Sequence, residues 1–347
     1  MSSAPTVRTR WPLAVALGAL GALIVGLVVL GFLWPSKTST VHNLPVSLSG
    51  PAATTQVLEQ ALEQQAPGTF NFIEATDRQD AVAQIEQRES YGAIVLPAEM
   101  TGAPEVLTAP AASSVATQLL NQAATQLQAQ LNQAAAAAGA TAPTVSITPV
   151  VPLSDGDPAG TGLAAASFPL TMGGMIGGVL ISLLVIGPVR RLAALAGFAL
   201  TVSVVLTLIM HTWFDYLQAS FGLNMLVMGL STLATSAFVV GCSSLLGRSG
   251  IAVGAIITMF VGNPLASAAA PWQFMPEPWG AIGQFFVPGA AATLTRSVNY
   301  FPDANTTVQW AVLAGWVALG AVLTLVGHFR SQVTTHAAER AGELAAA

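Results

Sequence analysis

Six stretches of this chain are apolar, free of charged side chains and close to the length that crosses a bilayer, and no other feature restricts its fold so strongly. About 20 consecutive apolar residues carry an α-helix through the hydrocarbon core. Trp11–Trp34 meets that length, and Phe168–Val189, Leu192–Met210, Leu223–Leu246, Ile251–Ala270 and Val308–Gly327 follow it. Only 8% of the 347 residues are charged, against about 25% in a soluble domain, so much of the surface must face lipid. A shorter apolar piece, Ala281–Ala292, is interrupted by Pro288 and is expected to dip into the membrane or lie on it.

The expected fold is therefore an α-helical polytopic membrane protein with six transmembrane helices and a small α/β extracytoplasmic domain. The organisation reads as an N-terminus over 1–10, a first span over 11–34, an outer domain over 35–166, five spans over 167–328 with a re-entrant or interfacial piece near 280–292, and a tail over 329–347. The first span follows Arg8 and Arg10, as a signal peptide would. It is too long for a signal h-region and no small-residue cleavage site closes it, which makes it a retained signal anchor.

Basic residues near span ends set orientation. With the N-terminus inside, Arg8, Arg10, Arg190, Arg191, Arg248, Arg330 and Arg340 fall on the cytoplasmic side, and Lys37 and Arg296 fall outside near the membrane. Both termini are then cytoplasmic, residues 35–166 lie outside, and the expected location is the bacterial inner membrane. Trp34, Trp213, Trp272, Trp279 and Trp310 all fall at the outer boundary, where amphipathic rings settle. Apart from Asp215, Glu277, Asp303, Glu339 and Glu343, every acidic residue lies between Glu59 and Asp157, which sets a water-facing segment apart from the spans.

Within that segment VHNLPVSL, FNFIEA and YGAIVLPA read as strands alternating with helices TTQVLEQALEQQ and DRQDAVAQIEQR, a pattern that predicts crossover units in a mixed sheet. Asp77 suits a helix N-cap. A longer helix over Ser113–Ala138 carries Leu120, Ala124, Leu127 and Leu131 as a single apolar stripe, expected to pack on its own sheet. TVSITPVVPL returns as a strand.

No sequence for a catalytic or cofactor-binding centre occurs. There is no Gly-x-x-x-x-Gly-Lys-Ser/Thr, no Gly-x-Ser-x-Gly and no His-Glu-x-x-His, so neither an enzyme nor a bound cofactor is expected. The four histidines lack metal-ligand spacing, and the lone Cys242 precludes an intrachain disulfide or a cysteine-based metal site. His211 and Asp215, at i, i+4 spacing, are expected on one helical face at the outer end of the third span, where polar residues ordinarily face water; a proton relay is the alternative. No charge interrupts a span, which argues against an ion-coupled carrier. Nothing points to nucleic acid.

Gly173, Gly174, Gly177 and Gly178 form two overlapping Gly-x-x-x-Gly pairs, suited to close helix packing within one subunit or between two. Asn263–Pro264 sits toward the outer end of the fifth span, where proline frees a backbone carbonyl. That marks either a helix end or a translocation path, with Arg296 as a further gate residue.

The stretch Val261–Phe301 resembles the corresponding part of the type-2 ABC exporter permease superfamily. Gly262, Asn263, Pro264, Leu265, Pro278, Trp279, Pro288, Gly289, Arg296, Tyr300 and Phe301 carry the likeness. Asp80–Met100 is similar to the branch related to phage-infection proteins, which place a large domain after the first span. The resemblance implies a permease that dimerises and couples to a separate cytoplasmic ATPase, with Arg190, Arg191 and Arg248 as contact residues. This chain departs from the pattern in its short inner loops, PVRR and GRSG.

Two functions follow as expectations: export of a hydrophobic or amphipathic substrate, or a surface protein whose outer domain binds a ligand or envelope partner. A lateral groove or a cavity between dimer halves would support the first, and a filled bundle beneath a cleft the second.

Overall fold

A computed structural model describes residues 10–98 and 102–346, with side chains of the last helix described as far as Phe329. Arg8, most of the N-terminal segment, and the side chains of Arg330, Arg340, Glu339 and Glu343 lie outside the described residues, as do Glu99 and Met100.

The chain opens with α1 (Trp11–Thr38) and passes into a sheet unit. Its elements are β1 (Leu44–Ser49), α2 (Ala52–Gln65), β2 (Phe70–Glu74), α3 (Arg78–Glu86), β3 (Gly92–Val95), β4 (Glu105–Thr108), α4 (Ser114–Ala137) and β5 (Ser146–Pro149). The sheet order is β2-β1-β3-β4-β5, parallel except where β4 runs against β3. The mixed sheet expected from the sequence is thus present, with β4 as a strand that the short, proline-flanked EVLT did not announce. Asp77 caps α3, its side chain accepting from the Asp80 amide at 2.8 Å, which satisfies a free donor of the first turn.

Both faces of the sheet are covered. Leu44, Val46, Leu48, Ile94 and Val106 pack against Leu58 and Leu62 of α2 and Leu120 and Ala124 of α4. The inner half of the expected α4 stripe is therefore core, whereas Leu131 lines an open groove between α2 and α4. On the other face Ala81 and Ile85 of α3 meet Ala93, Leu107 and Val151. Each core takes in a side chain from far along the chain: Phe274 in the first and Phe301, 1% exposed, in the second. The sequence boundary at residue 166 is therefore not a boundary in the packing.

Arg78 and Glu105 join α3 to β4 through Nε–Oε2 at 2.6 Å and Nη2–Oε1 at 3.0 Å. The hydrogen bond from Arg78 holds the Glu105 carboxyl below its usual range. A carboxyl depressed in the folded state adds stability above its unfolded pKa and loses it as pH falls through the folded value. Glu105→Gln is accordingly expected to flatten the loss of stability below about pH 4.3, the ordinary glutamate value, in urea titrations at stepped pH. A wild-type slope would refute it. The change is small because the pair is exposed to solvent.

The bundle follows: α5 (Gly162–Leu184), α6 (Pro188–Thr207) prolonged by a π turn (Leu208–Trp213), and α7 (Phe221–Leu246). Next come α8 (Arg248–Ala255) prolonged by a second π turn (Ile256–Val261), then α9 (Trp279–Gly283), α10 (Val287–Tyr300) and α11 (Thr307–Ala346). Six of the helical segments are long and apolar enough to cross a membrane, the make-up of a multi-pass membrane protein. α7 lies at the centre, with 72% of its apolar window buried. α1 stands at the edge with no buried residue and touches the rest through Phe32–Phe168 and Trp34–Trp279.

Several boundaries differ from expectation, and two have a local cause. α5 spans Gly162–Leu184 rather than Phe168–Val189. The Asp157 carboxylate accepts from the Thr161 and Gly162 amides at 3.0 and 2.7 Å and starts the helix early. Gly187 at φ 95° then turns the chain, and Pro188 opens α6 in the position proline favours. Pro288 likewise opens α10 instead of interrupting a segment. Phe285, just before α10, accepts from Trp316 Nε1 at 2.9 Å. Trp316 lies about 14 Å along α11 from Thr307, at 1.5 Å per residue. At its other end α10 delivers Tyr300 and Phe301 to the sheet unit. α10 therefore begins beside the middle of α11 and ends at the sheet unit.

Candidate functional site

The seam where α10 meets the sheet unit gathers polar side chains that are far apart in sequence. Arg88 follows α3 in the left-handed region, at φ 61°. Its Nη1 donates to the Thr293 carbonyl at 3.2 Å and to Ser297 Oγ at 2.7 Å, both on α10. The guanidinium also lies 5.3 Å from the centre of the Phe301 ring, an attractive cation–π placement. Arg296 stands on the same turn of α10 and donates from Nη2 to the Ala268 carbonyl at 2.9 Å. Tyr91 donates to Gln273 Oε1 at 3.2 Å.

Burial pushes the Arg88 guanidinium below its ordinary value and the Tyr91 phenol above its own, the latter opposed by the positive charges of Arg88 and Arg296. Among the described residues neither guanidinium has a carboxylate within ion-pair distance, and the ion pair present is Arg78–Glu105. Asp157, whose charge reaches Arg296 from a distance, spends both oxygens on the start of α5. Both guanidiniums are thus partly buried along α10 without a carboxylate partner among the described residues, an arrangement that costs free energy.

Beside the arginines Asn299 fastens α10 to the connection between α6 and α7. It donates to Asn224 Oδ1 at 3.0 Å and accepts from the Ala219 amide at 2.8 Å, while Asn224 donates to the Ala219 carbonyl at 2.9 Å. Both asparagines are buried. Tyr300 completes the seam by donating toward Ser154 Oγ at 3.3 Å and the Tyr216 carbonyl at 3.2 Å.

Three spaces adjoin this region. Below Arg296 a slot between α5, α7 and α10, lined by Ser167, Thr171, Thr235 and Thr295, has a volume of 20 Å³, room for about one water. On the sheet side a cleft of 670 Å³ separates the β1 and β2 ends from the Trp272–Ala281 segment, with Asn43, Asn71, Gln273 and Glu277 on its walls. On the bundle's flank a lateral groove of 510 Å³ runs between α6 and α7 past Ala199, Ser203 and Gly229.

Asn263 and Pro264 fall where the α8 segment loses its regular helix. The π turn ends at Val261, a 3₁₀ turn covers Pro264–Ala266, and Ser267 is left-handed at φ 49°. Asn263 Nδ2 is buried without a hydrogen-bond partner among the described residues. Gly174 and Gly178 face α7: a Cβ at Gly174 would meet Thr235 Cβ at 2.8 Å, and one at Gly178 would meet Val239 Cβ at 2.8 Å. Gly177 abuts the Phe198 ring of α6, and Gly173 meets nothing. Three of these glycines thus pack helices within one chain.

Arg190, Arg191 and Arg248 do not form one patch. Arg191 is engaged internally, donating to the Ser182 and Val185 carbonyls at 3.0 and 2.9 Å and to Ser244 Oγ at 2.7 Å. Arg190 and Arg248 are exposed at that same end of the bundle. His211 and Asp215 do not pair. The helix stops at Trp213, and His211 Nδ1 lies 2.6 Å from the Leu217 carbonyl instead.

Of the seam, the sequence analysis singled out Arg296 as a gate residue and Tyr300 and Phe301 only as carriers of the resemblance. Arg88, Tyr91, Asp157, Asn224, Gln273 and Asn299 went unmarked, although an asparagine beginning the apolar run at Leu223 was a readable signal. No protein-family model, no curated protein and no solved structure matches the chain.

Proposed function

We propose that the chain is the membrane permease subunit of an ABC-type exporter of a hydrophobic or amphipathic substrate, paired with a second copy and driven by a separate ATPase. The observation that carries this reading is the broken α8 segment beside the short helix α9 and α10, which we read as the re-entrant piece. Irregular backbone at membrane depth is tolerated only where protein shields it or a wet cavity adjoins it, and transport sites are built from such interrupted helices. An anchor needs neither. The slot inside one chain is too small for a substrate, so the path lies between copies or along the lateral groove between α6 and α7. The sheet unit is outside and both termini are cytoplasmic in this reading.

Purification of the tagged full chain in mild detergent, with mass spectrometry of co-eluting proteins, tests it. A stoichiometric ATPase is expected. Arg190→Glu combined with Arg248→Glu should reduce its recovery at least about tenfold while the chain still elutes as wild type. Arg191→Glu should instead lower the yield of folded chain, because three internal hydrogen bonds are lost.

A filled bundle beneath the 670 Å³ cleft favours a second reading, a surface protein that binds a ligand outside. Recovery of the chain alone, or with envelope proteins, across several detergents would overturn the exporter and select that one.

A further inference from the structure

We infer that the cavity where α5 turns into α6 binds the phosphate head of an anionic phospholipid, held by Arg191, His328 and the start of α6. This goes beyond the exporter reading and depends on neither an ATPase nor a transported substrate.

The cavity measures 160 Å³ and lies between the Gly187–Pro188 turn, Arg191, Ser244, Thr324 and His328. That is well above the about 10–15 Å³ that one water needs, and below the about 300 Å³ at which pockets for whole small molecules begin. A phosphate group fits such a space. Arg191 stands on its wall and no lining residue is acidic. Among the described residues Arg191 makes no ion pair.

Arg191 is fixed in place before any ligand arrives. It closes the end of α5 by donating from Nε to the Val185 carbonyl and from Nη2 to the Ser182 carbonyl, and its Nη1 donates to Ser244 Oγ. Of its five N–H donors, one on each terminal nitrogen then has no described partner. Closing α5 accounts for the carbonyl bonds, but not for the open space against the same side chain. The hydroxyls of Ser244 and Thr324 give their protons to the Val240 and Gly320 carbonyls, both at 2.8 Å. Recognition therefore falls to Arg191, to the His328 imidazole and to α6, which opens on the cavity at Gly187–Pro188. The first-turn amides of a helix lack intrahelical partners and sit at the positive end of its dipole, a favourable place for an anion.

The surroundings select a lipid over a free anion. Ile186 and Val189, 82% and 73% exposed, stand on either side of the turn, and exposed Val326 and Phe329 stand on either side of Gly327 and His328. A polar cationic cavity bordered by bare apolar side chains matches an amphipath, with its head inside and its chains along the helices. Basic pockets between membrane helices hold anionic lipid heads in this way.

The test offers the purified full chain, stripped of lipid in detergent, equal amounts of phosphatidylglycerol and phosphatidylcholine, and reads what is retained by native mass spectrometry. Phosphatidylglycerol should be retained in preference. His328→Ala should weaken its retention about tenfold, the worth of one hydrogen bond to a charged group, and Arg191→Gln should abolish the preference. Arg190→Gln removes an exposed cation next in sequence that lines no part of the cavity, and should leave the preference unchanged. Inorganic phosphate at the same concentration should not displace the lipid; displacement would overturn the lipid in favour of a free anion. Equal retention of both lipids would overturn the site, as would a His328→Ala chain that keeps the preference or an Arg190→Gln chain that loses it. Because Arg191 also closes α5, the wild-type comparison and His328→Ala decide the matter where Arg191→Gln does not fold. No ATPase enters the measurement, so its failure and the failure of the exporter reading are separate results.

Discussion

Replacing Asn299 by leucine is expected to lower the melting temperature sharply and to cut the yield of monodisperse protein. The substitution removes the donor to Asn224 Oδ1 and to the Thr295 carbonyl, and the acceptor of the Ala219 amide. Asn224 Oδ1 is then left without a partner in a buried place and the Ala219 N–H without one in a half-buried place. Each such orphan costs about 1–3 kcal/mol, so the two together cost about 2–6 kcal/mol. Removing both side-chain partners with Asn224→Leu and Asn299→Leu together should recover part of it, because Asn224 no longer leaves an unmet acceptor. Fluorescence-detected size exclusion after heating measures both. A single variant melting within a degree of wild type would show that the seam is not held there.

The second large effect concerns the contact of α7 with α11. A Cβ at Gly320 would strike the backbone of Ala237, and one at Gly241 would meet the Gly320 carbonyl at 2.6 Å. The helices approach so closely because neither side carries a side chain at those points, the packing that small residues permit between membrane helices. Gly320→Leu cannot be absorbed by a rotamer change, since its neighbour is backbone. The upper end of the usual overpacking cost, about 3 kcal/mol, is expected, with α11 forced away from α7. Gly315→Leu on the same helix has nothing within 4 Å and should melt as wild type apart from a small propensity gain. Equal melting temperatures for the two variants would refute the contact.

The spans and most of the sheet unit were legible because they depend on local chemistry. Charge-free length marks a crossing helix, and alternating strands and helices mark crossover units. Asp77 was recognised as a cap because its partner, Asp80, is three residues away. β4 was missed because four residues between prolines and alanines carry little periodicity, and its identity is fixed by pairing with β3. The polar seam was illegible for a related reason. Arg88 finds Thr293 and Ser297 across roughly two hundred residues, and nothing near Arg88 in sequence signals that meeting. His211 and Asp215 show the converse error. Their spacing suits a helix, but the helix ends between them.

The sharing of side chains between the two parts of the molecule orders its manufacture. The ribosome completes β1 through β5 well before it reaches Phe274 and Phe301, yet those rings belong inside the two cores that the sheet separates. A nascent sheet unit therefore waits, with apolar surface open on either face, until α10 has been laid down and its end returned to the sheet. A chain cut before residue 301 is expected to leave one of those cores unfinished and open to added protease, which limited proteolysis would read against the intact chain.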